Sequence, residues 1–171
     1  MALYVLQVTG GQEDRVAKMI DKYVSEGIVR ECFIPRYEAM RRMRGGWHKC
    51  VETLVVGYLF VDCDDPGALS EQLRRVPAFT RLLGNDDIFI PLNADEVSWL
   101  NAFTDTGNRV VRMSEGVIEG DKVIVLNGPL MGHEGMISKI DRHRRIAYLD
   151  IHILGRTKTV KVGLEIVNKH K

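Results

Sequence analysis

Residues 119–141, EGDKVIVLNGPLMGHEGMISKID, place two short alternating apolar runs on either side of a glycine-rich loop. A period of two, as in VIVL and MISKI, is typical of strands. Gly128 and Pro129 predict a sharp turn between them, and glycine also lets a loop lie close to a sheet. The predicted strands of this region are 122–126, 135–140, 145–151, 157–162 and 164–167. Five short strands in about 50 residues predict a small barrel that leaves few edges exposed.

The first 108 residues predict a sheet with helices. A β-rich run at 3–8 precedes a stretch in which Val16 and Ile20 recur at helical spacing. Two extended arms then meet at Gly45-Gly46, which predicts a hairpin, and a buried strand follows at 54–61. The residues placed to begin two later helices are Pro66 and Asn93. The predicted fold class is α+β, a mostly antiparallel sheet with helices followed by the small barrel.

Residues 107–118 contain no clear period and separate the two patterned regions. We interpret them as a linker between a domain at 1–106 and a domain at 119–171. Residues 1–108 hold 12 Lys and Arg against 16 Asp and Glu, whereas 119–171 hold 10 against 6, so the net charges are about −4 and +4. This difference in sign also favours two separate bodies.

Length and composition exclude several classes of protein. The chain has 171 residues, of which 45% are hydrophobic, enough for two small cores. It has no apolar run of the roughly 18 residues that a membrane-spanning helix needs, and its start lacks the features of a signal peptide. We expect a cytoplasmic monomer without membrane contact. The three cysteines are odd in number and widely spaced, so we expect reduced, mostly buried thiols.

The hairpin segment RYEAMRRMRGGWHK (36–49) concentrates cations in an otherwise acidic region. Opposed like charges in a hairpin repel by roughly a few tenths of a kcal/mol per pair, and bound phosphates would remove that cost. Arginine also stacks on bases, and a neighbouring aromatic ring suits single strands. The candidate nucleic-acid-binding residues here are Arg36, Arg41, Arg42, Arg44, Trp47, His48 and Lys49. A second candidate cluster is Arg74, Arg75 and Arg81. For both sets the alternative is a solvated surface.

The sequence contains no convincing catalytic site. His133, Glu134, Asp141 and His143 are metal-ligand types, but their spacing matches no zinc site. TGGQEDR places two glycines before a helix, yet it lacks the remainder of a nucleotide-binding fingerprint. We therefore expect no catalytic residue, no metal and no cofactor, and a protein that is not an enzyme.

The 119–171 segment resembles a KOW domain, the small SH3-like barrel of transcription elongation factors and ribosomal proteins. The run ILGR at 153–156, followed by TKTVKV, is similar to the later strands of the bacterial NusG family. LYVLQVTGGQEDRVAKMI at the start of the chain resembles the N-terminal (NGN) domain of that family, as do VGYLFVD (56–62) and LRRVPAFTRLLG (73–84). The resemblance spans nearly the whole chain.

The resemblance implies a regulator that binds bacterial RNA polymerase, contacts the non-template DNA strand and suppresses pausing. The candidate polymerase-binding residues are Tyr4, Val55, Val56, Tyr58 and Phe60, whose alternative is ordinary sheet core. Arg15 lies where the family keeps an arginine at the start of its first helix, so it joins the nucleic-acid candidates. Through the KOW domain the resemblance implies Rho or a small-subunit ribosomal protein as partners. The candidate residues for such a contact are Leu130, Met131, His133 and Leu154, with packing as the alternative.

Two departures from the family favour a specialised member. Val55-Val56 stand where most relatives carry Phe-Pro, and Leu130, His133 and Leu154 stand near positions where many relatives have bulky aromatic residues. Specialised members of the RfaH or LoaP type act on selected operons after recruitment by a DNA or RNA element, which here implies an RNA hairpin or non-template DNA as ligand. The alternatives are a general NusG-like elongation factor and a ribosome-associated RNA-binding KOW protein.

Overall fold

The computed structural model describes residues 2–85, 88–105 and 107–167. Up to residue 105, the elements in chain order are β1 (Leu3–Val8), α1 (Glu13–Tyr23), β2 (Glu31–Phe33), β3 (Arg36–Met43), β4 (Gly46–Thr53), β5 (Tyr58–Asp62), α2 (Pro66–Leu73), β6 (Thr80–Leu82), β7 (Gly84–Asn85), β8 (Ile88–Phe89) and α3 (Ala94–Phe103). From residue 107 they are β9 (Val110–Val111), β10 (Ser114–Glu119), β11 (Lys122–Asn127), a 3-10 turn (Glu134–Met136), β12 (Ile137–Asp141), β13 (Ile146–Ile153) and β14 (Arg156–Ile166). The predicted α+β fold class is confirmed.

The chain forms two compact units whose limits differ from the predicted domains. The first unit combines Met1–Pro35 with Val55–Val97, and the second combines Arg36–Leu54 with Ser98–Lys171. The hairpin of β3 and β4 thus belongs with the C-terminal segment. Residues 168–171, assigned by the sequence to the C-terminal domain, lie outside the described residues.

The first unit is a four-stranded antiparallel sheet in the order β2-β5-β1-β6, with α1 and α2 on one face. The two helices pack apolar side chains such as Val16, Ile20 and Leu69 against alternate residues of β1 and β5. Pro66 occupies the first turn of α2, and the Asp65 side chain accepts a hydrogen bond from the Ala68 amide at 3.0 Å. This is the helix start that the sequence predicted.

Asn93 caps α3 as the sequence predicted. Its side chain accepts from the Glu96 amide at 2.8 Å, and the Glu96 carboxylate accepts from the Asn93 amide at 2.8 Å. This reciprocal pair satisfies two of the backbone groups that a helix start leaves without partners.

The second unit contains a hairpin and a curled five-stranded sheet. In the hairpin, Arg36 pairs with Thr53 and Met43 with Gly46, and β9 runs parallel to β3. The turn requires φ of 89° at Gly45 and 124° at Gly46, values that only glycine adopts without cost. The five-stranded sheet, called the barrel below, has the order β11-β10-β14-β13-β12.

The barrel strands differ from the predicted ones in two places. The first strand is β10, and all but its last residue lies in the 107–118 stretch that we interpreted as a linker and that also contains β9. The two predicted strands at 157–162 and 164–167 are a single strand, β14. Each of these strands contains a glycine, Gly116 in β10 and Gly163 in β14, and a glycine usually suggests the end of a strand. Here both glycines lie within a strand, at positions where another backbone segment approaches closely. A Cβ at Gly163 would lie 2.4 Å from the Glu38 carbonyl oxygen, and one at Gly116 would lie 2.8 Å from that of Ile124. The boundaries at 106 and 118 stay a prediction.

Among the described residues, no helix has the length and apolar character needed to span a membrane.

Candidate nucleic-acid interface

The cations of the hairpin divide between its two faces. Residues directly opposite each other in β3 and β4 share a face, so Arg42 lies beside Trp47 on one face and Arg41 beside His48 on the other. Lys49 shares the face of Arg42. The sequence predicted the cluster but not this division, because a register of one residue decides which face a side chain takes.

Some hairpin cations already have carboxylate partners. Arg41 forms an ion pair with Glu52, and Lys49 Nζ lies 3.9 Å from the Glu38 carboxylate. Arg42 and Arg44 are exposed, and no carboxylate in the part of the chain that the structure describes pairs with either. Arg36 is half-buried at the open end of the hairpin, where its amide donates to the Arg109 carbonyl at 2.9 Å. The structure thus places Arg42, Trp47 and Lys49 together on one face of the hairpin. Arg41 and His48 lie on the other face, and Arg36 lies apart at the open end.

Trp47 contacts residues that the sequence did not single out for binding. The Arg145 guanidinium lies 4.6 Å from the centroid of the Trp47 ring, and the His143 ring meets it edge-on at 6.1 Å. An open cleft of about 480 Å³ surrounds this contact. Its lining residues are Arg42, Trp47, Arg142, His143, Arg145, Glu165 and Ile166. The sequence signal for these residues is the run DRHRR at 141–145, which concentrates three arginines around His143.

The second predicted arginine cluster is only partly assembled. Arg74 and Arg81 line one open cleft of about 540 Å³ together with the exposed ring of Phe79. Arg75 is exposed but does not line this cleft, and Arg74 Nη1 lies 3.5 Å from the Glu71 carboxylate. Arg15 lies on α1, where its guanidinium donates to the Gln12 side chain at 3.3 Å. Phe79 is a candidate that the sequence analysis missed.

The predicted polymerase-binding residues do not form one exposed face. Tyr4 lies on the sheet face that α1 and α2 cover. Tyr58 and Phe60 lie on the opposite face and are also buried, with Phe60 stacked on Phe33 at 5.7 Å between centroids. Val55 is buried too, whereas Val56 is 61% exposed. Of the five candidates, Val56 alone presents its side chain to solvent.

A buried carboxylate holds the turn that presents Val56. Glu13 is 4% exposed, and its two oxygens accept from the amides of Gly11 at 3.0 Å and Gly57 at 2.7 Å. One side chain therefore ties the loop before α1 to the turn before β5. Glu13 was not among the residues predicted from the sequence, because its hydrogen bond to Gly57 joins segments 44 residues apart and is not visible in local patterns.

The predicted partner-binding residues of the barrel have different environments. Leu130 is fully buried, and its amide donates to the Ser114 hydroxyl at 3.1 Å. Met131 is 57% exposed. His133 is exposed but its ring contacts that of Phe103 at 5.0 Å, and Leu154 is half-buried. Met131 is thus the most exposed of the three apolar candidates.

Backbone geometry explains the glycine-rich loop at the start of the barrel. Gly128 has φ of 100°, and a Cβ there would lie 2.5 Å from the Ser114 hydroxyl oxygen, so only glycine fits. On the other side of the loop, the Glu134 carboxylate accepts from the Val125 amide at 3.0 Å. That backbone hydrogen bond lowers the pKa of Glu134. The loop therefore turns sharply against β10 and β11 while its apolar Leu130 packs inward.

Metal-ligand side chains and cysteines are the remaining reactive groups of the described residues. Within 2–85, 88–105 and 107–167, no group of three or more His, Cys, Asp or Glu side chains could hold a metal ion. All three cysteines are free, and burial raises the pKa of the Cys32 thiol to about 12, so it is not a thiolate at neutral pH.

The fold defines an α+β protein that joins a helix-covered antiparallel sheet to a curled five-stranded barrel. Residues 1–101 match the family model described as transcription termination factor nusG, and residues 119–150 match the KOW motif. The chain therefore belongs to the NusG family of transcription termination and antitermination factors.

Curated relatives are similar over their full length. The transcription termination/antitermination protein NusG of Helicobacter pylori strain J99 is 23% identical over 175 residues, which covers 99% of this chain and 98% of the relative. The protein of the same name from Borreliella burgdorferi is 26% identical and covers 98% of each chain. A solved structure titled domain interaction in Thermotoga maritima NusG has the same fold, with a TM-score of 0.56 at 19% identity over 95% of this chain and 93% of that one.

Proposed function

We propose that this protein is a transcription elongation and antitermination regulator that acts by binding alone. Its N-terminal domain binds bacterial RNA polymerase, the basic hairpin binds nucleic acid, and the KOW barrel recruits a further protein. The observation that carries the proposal is the group of exposed hairpin cations, Arg42 and Arg44 among them, in a member of the NusG family. Arginine without a carboxylate partner is suited to phosphate.

For polymerase binding, we propose Val56 as the direct contact. It is exposed on a turn that Glu13 fixes, so its position is set before any partner binds. The buried residues Tyr4, Val55, Tyr58 and Phe60 would support that surface from within.

We further propose that the protein acts on selected operons, as RfaH- or LoaP-type members do. The departures at Val55-Val56 and at Leu130, His133 and Leu154 support this specialisation. The recruiting element would be an RNA hairpin or exposed non-template DNA, bound mostly through phosphates and shape.

For the barrel, we propose an apolar contact centred on Met131. Monomeric proteins seldom expose a large continuous apolar patch, so exposed apolar side chains that occur together suggest a binding surface. Besides Met131, the barrel exposes Ile124 and Leu126 of β11. Rho and a small-subunit ribosomal protein are the partners to test.

Terminator readthrough by purified bacterial RNA polymerase tests the proposal. One template carries the native leader of an operon suspected to be the target, and a second carries the same leader scrambled. We expect the protein to raise readthrough on the native leader only, because recruitment depends on the element.

Readthrough on both templates would instead identify a general elongation factor, an alternative that the full-length similarity to the NusG relatives supports equally well. If neither template responds to the protein while the polymerase is active, a ribosome-associated RNA-binding protein becomes the better account. A steep loss of RNA affinity with salt would then be expected.

A further inference from the structure

A basic cleft in the second unit combines residues from the hairpin and from the barrel. The hairpin contributes Arg42 and Trp47, and the turn between β12 and β13 contributes Arg142, His143 and Arg145. The cleft is open and has a volume of about 480 Å³. Neither segment forms this surface alone.

The turn between β12 and β13 is a defined structure. The Asp141 carboxylate accepts from the Arg144 amide at 3.0 Å, and the Arg145 amide donates to the Arg142 carbonyl at 3.3 Å. Arg145 has φ of 59°, a left-handed conformation that glycine or asparagine adopts at lower cost. An arginine with this backbone nevertheless places its guanidinium over the Trp47 ring. An unfavoured conformation at a surface cleft is a reason to look for a function there.

The charges of the cleft are not balanced within the protein. Arg145 Nε lies 4.0 Å from the Glu165 carboxylate, which is the one acid among the described residues that line the cleft. Arg42 and Arg142 are exposed, and neither has a carboxylate partner among the residues that the structure describes. Like charges held in one cleft repel each other, and a bound polyanion would remove this repulsion.

We propose that this cleft binds the phosphate backbone of single-stranded nucleic acid, with Arg42 and Arg142 as the phosphate-binding residues. The proposal rests on the proposed function and adds the barrel turn to the nucleic-acid site. Trp47 and His143 supply the aromatic groups that stack on bases in single-strand sites, while Arg145 holds the Trp47 ring. Nucleic-acid binding therefore requires the KOW barrel as well as the hairpin.

Trp47 offers a direct probe of this cleft. The chain has two tryptophans, so Trp99→Phe leaves Trp47 as the single fluorophore. In this background we would titrate the full chain with a 10-nucleotide single-stranded RNA and with DNA of the same sequence. We expect a saturable change in Trp47 fluorescence, and the two arms distinguish RNA from DNA. As a control, we would measure the Kd of the unaltered chain and of Trp99→Phe by fluorescence anisotropy with labelled forms of the same oligonucleotides. Equal values would show that Trp99→Phe binds normally.

Arg142→Gln is the decisive variant and Arg144→Gln its matched control. Arg144 is the exposed cation two residues away that pairs with Asp141 at 3.8 Å and does not line the cleft. We expect Arg142→Gln to raise the Kd about fivefold at low salt and to reduce the slope of log K against log salt by about one. Arg144→Gln should leave both values within about twofold of the parent.

The possible failures are distinguishable. If Arg142→Gln binds like Arg144→Gln while Arg41→Ala/Arg42→Ala/Arg44→Ala loses binding, the barrel turn is not part of the site, yet the proposed function stands. If a 10-residue poly-Glu peptide binds as tightly as the oligonucleotides, the cleft recognises negative charge alone and the inference is wrong. If the unaltered chain binds neither RNA nor DNA, both the inference and the nucleic-acid part of the proposed function fail.

Discussion

Residue-scale geometry identifies a strained position in the turn between β13 and β14. Leu154 and Gly155 form a two-residue connection between the paired residues Ile153 and Arg156, with φ of 51° and 75°. Two consecutive positive φ values are typical of the type I′ turn, for which Asn-Gly is the preferred pair. A left-handed backbone is energetically unfavourable for leucine at the first position, whereas asparagine adopts it at lower cost.

Leu154→Asn should therefore stabilise the protein. We expect a gain of about 0.5–1 kcal/mol in the free energy of unfolding, smaller than the full cost of a left-handed leucine because Leu154 is half-buried and some apolar contact is lost. Urea denaturation followed by circular dichroism measures it. Met131→Asn, at an exposed apolar position without positive φ, should change the value by less than about 0.5 kcal/mol. A loss of stability in Leu154→Asn would mean that packing of the leucine outweighs the strain.

The sequence predicted residue types better than residue environments. It identified Trp47 as an aromatic residue beside the hairpin turn. It did not predict that Arg145 lies over the Trp47 ring, because Arg145 is distant in the sequence. It grouped Tyr4 with Tyr58 and Phe60, although strand alternation places them on opposite faces of one sheet. Long-range pairing decides both environments, and local patterns do not contain it.

Element-scale features were more predictable where capping or turn chemistry marks them. Pro66, Asn93 and Gly45-Gly46 each began or ended an element as expected. Strand β10 was missed because Gly116 and its neighbours lack the alternation of a strand, and its place in the barrel depends on pairing with β11 and β14. The glycine is present because a neighbouring backbone approaches closely, which a single sequence does not reveal.

The turn before β5 is the element on which our account of polymerase binding depends. Val56→Asn should weaken binding to RNA polymerase about tenfold, because an exposed apolar contact is lost on a turn that Glu13 holds in place. Surface plasmon resonance with immobilised polymerase measures the effect.

Val51→Asn is the matched control, since Val51 is likewise exposed but lies in the hairpin strand β4. Both variants should unfold within about 0.5 kcal/mol of the parent. Equal polymerase affinity in the two variants would exclude Val56 as a direct contact.

Across the whole molecule, charge is divided more strongly between the structural units than between the predicted domains. The second unit has 17 Lys and Arg against 10 Asp and Glu, a formal +7, and the first unit has 7 against 13, a formal −6. The hairpin accounts for the difference, because the structure groups it with the barrel and not with the acidic sheet. Such a distribution is consistent with our proposal that the second unit binds nucleic acid and that the first unit binds a protein partner.

The most direct test of the central claim is terminator readthrough on the native leader with Arg41→Ala/Arg42→Ala/Arg44→Ala. The triple variant removes three exposed cations from the hairpin, so it should fold normally but lose leader-dependent readthrough. The control Lys122→Ala/Arg144→Ala/Arg156→Ala removes the same charge from exposed positions of the barrel and should keep full activity. Loss of readthrough in the hairpin variant alone is the result we predict. Equal readthrough by the hairpin variant, the control and the parent would contradict a role for the hairpin in recruitment.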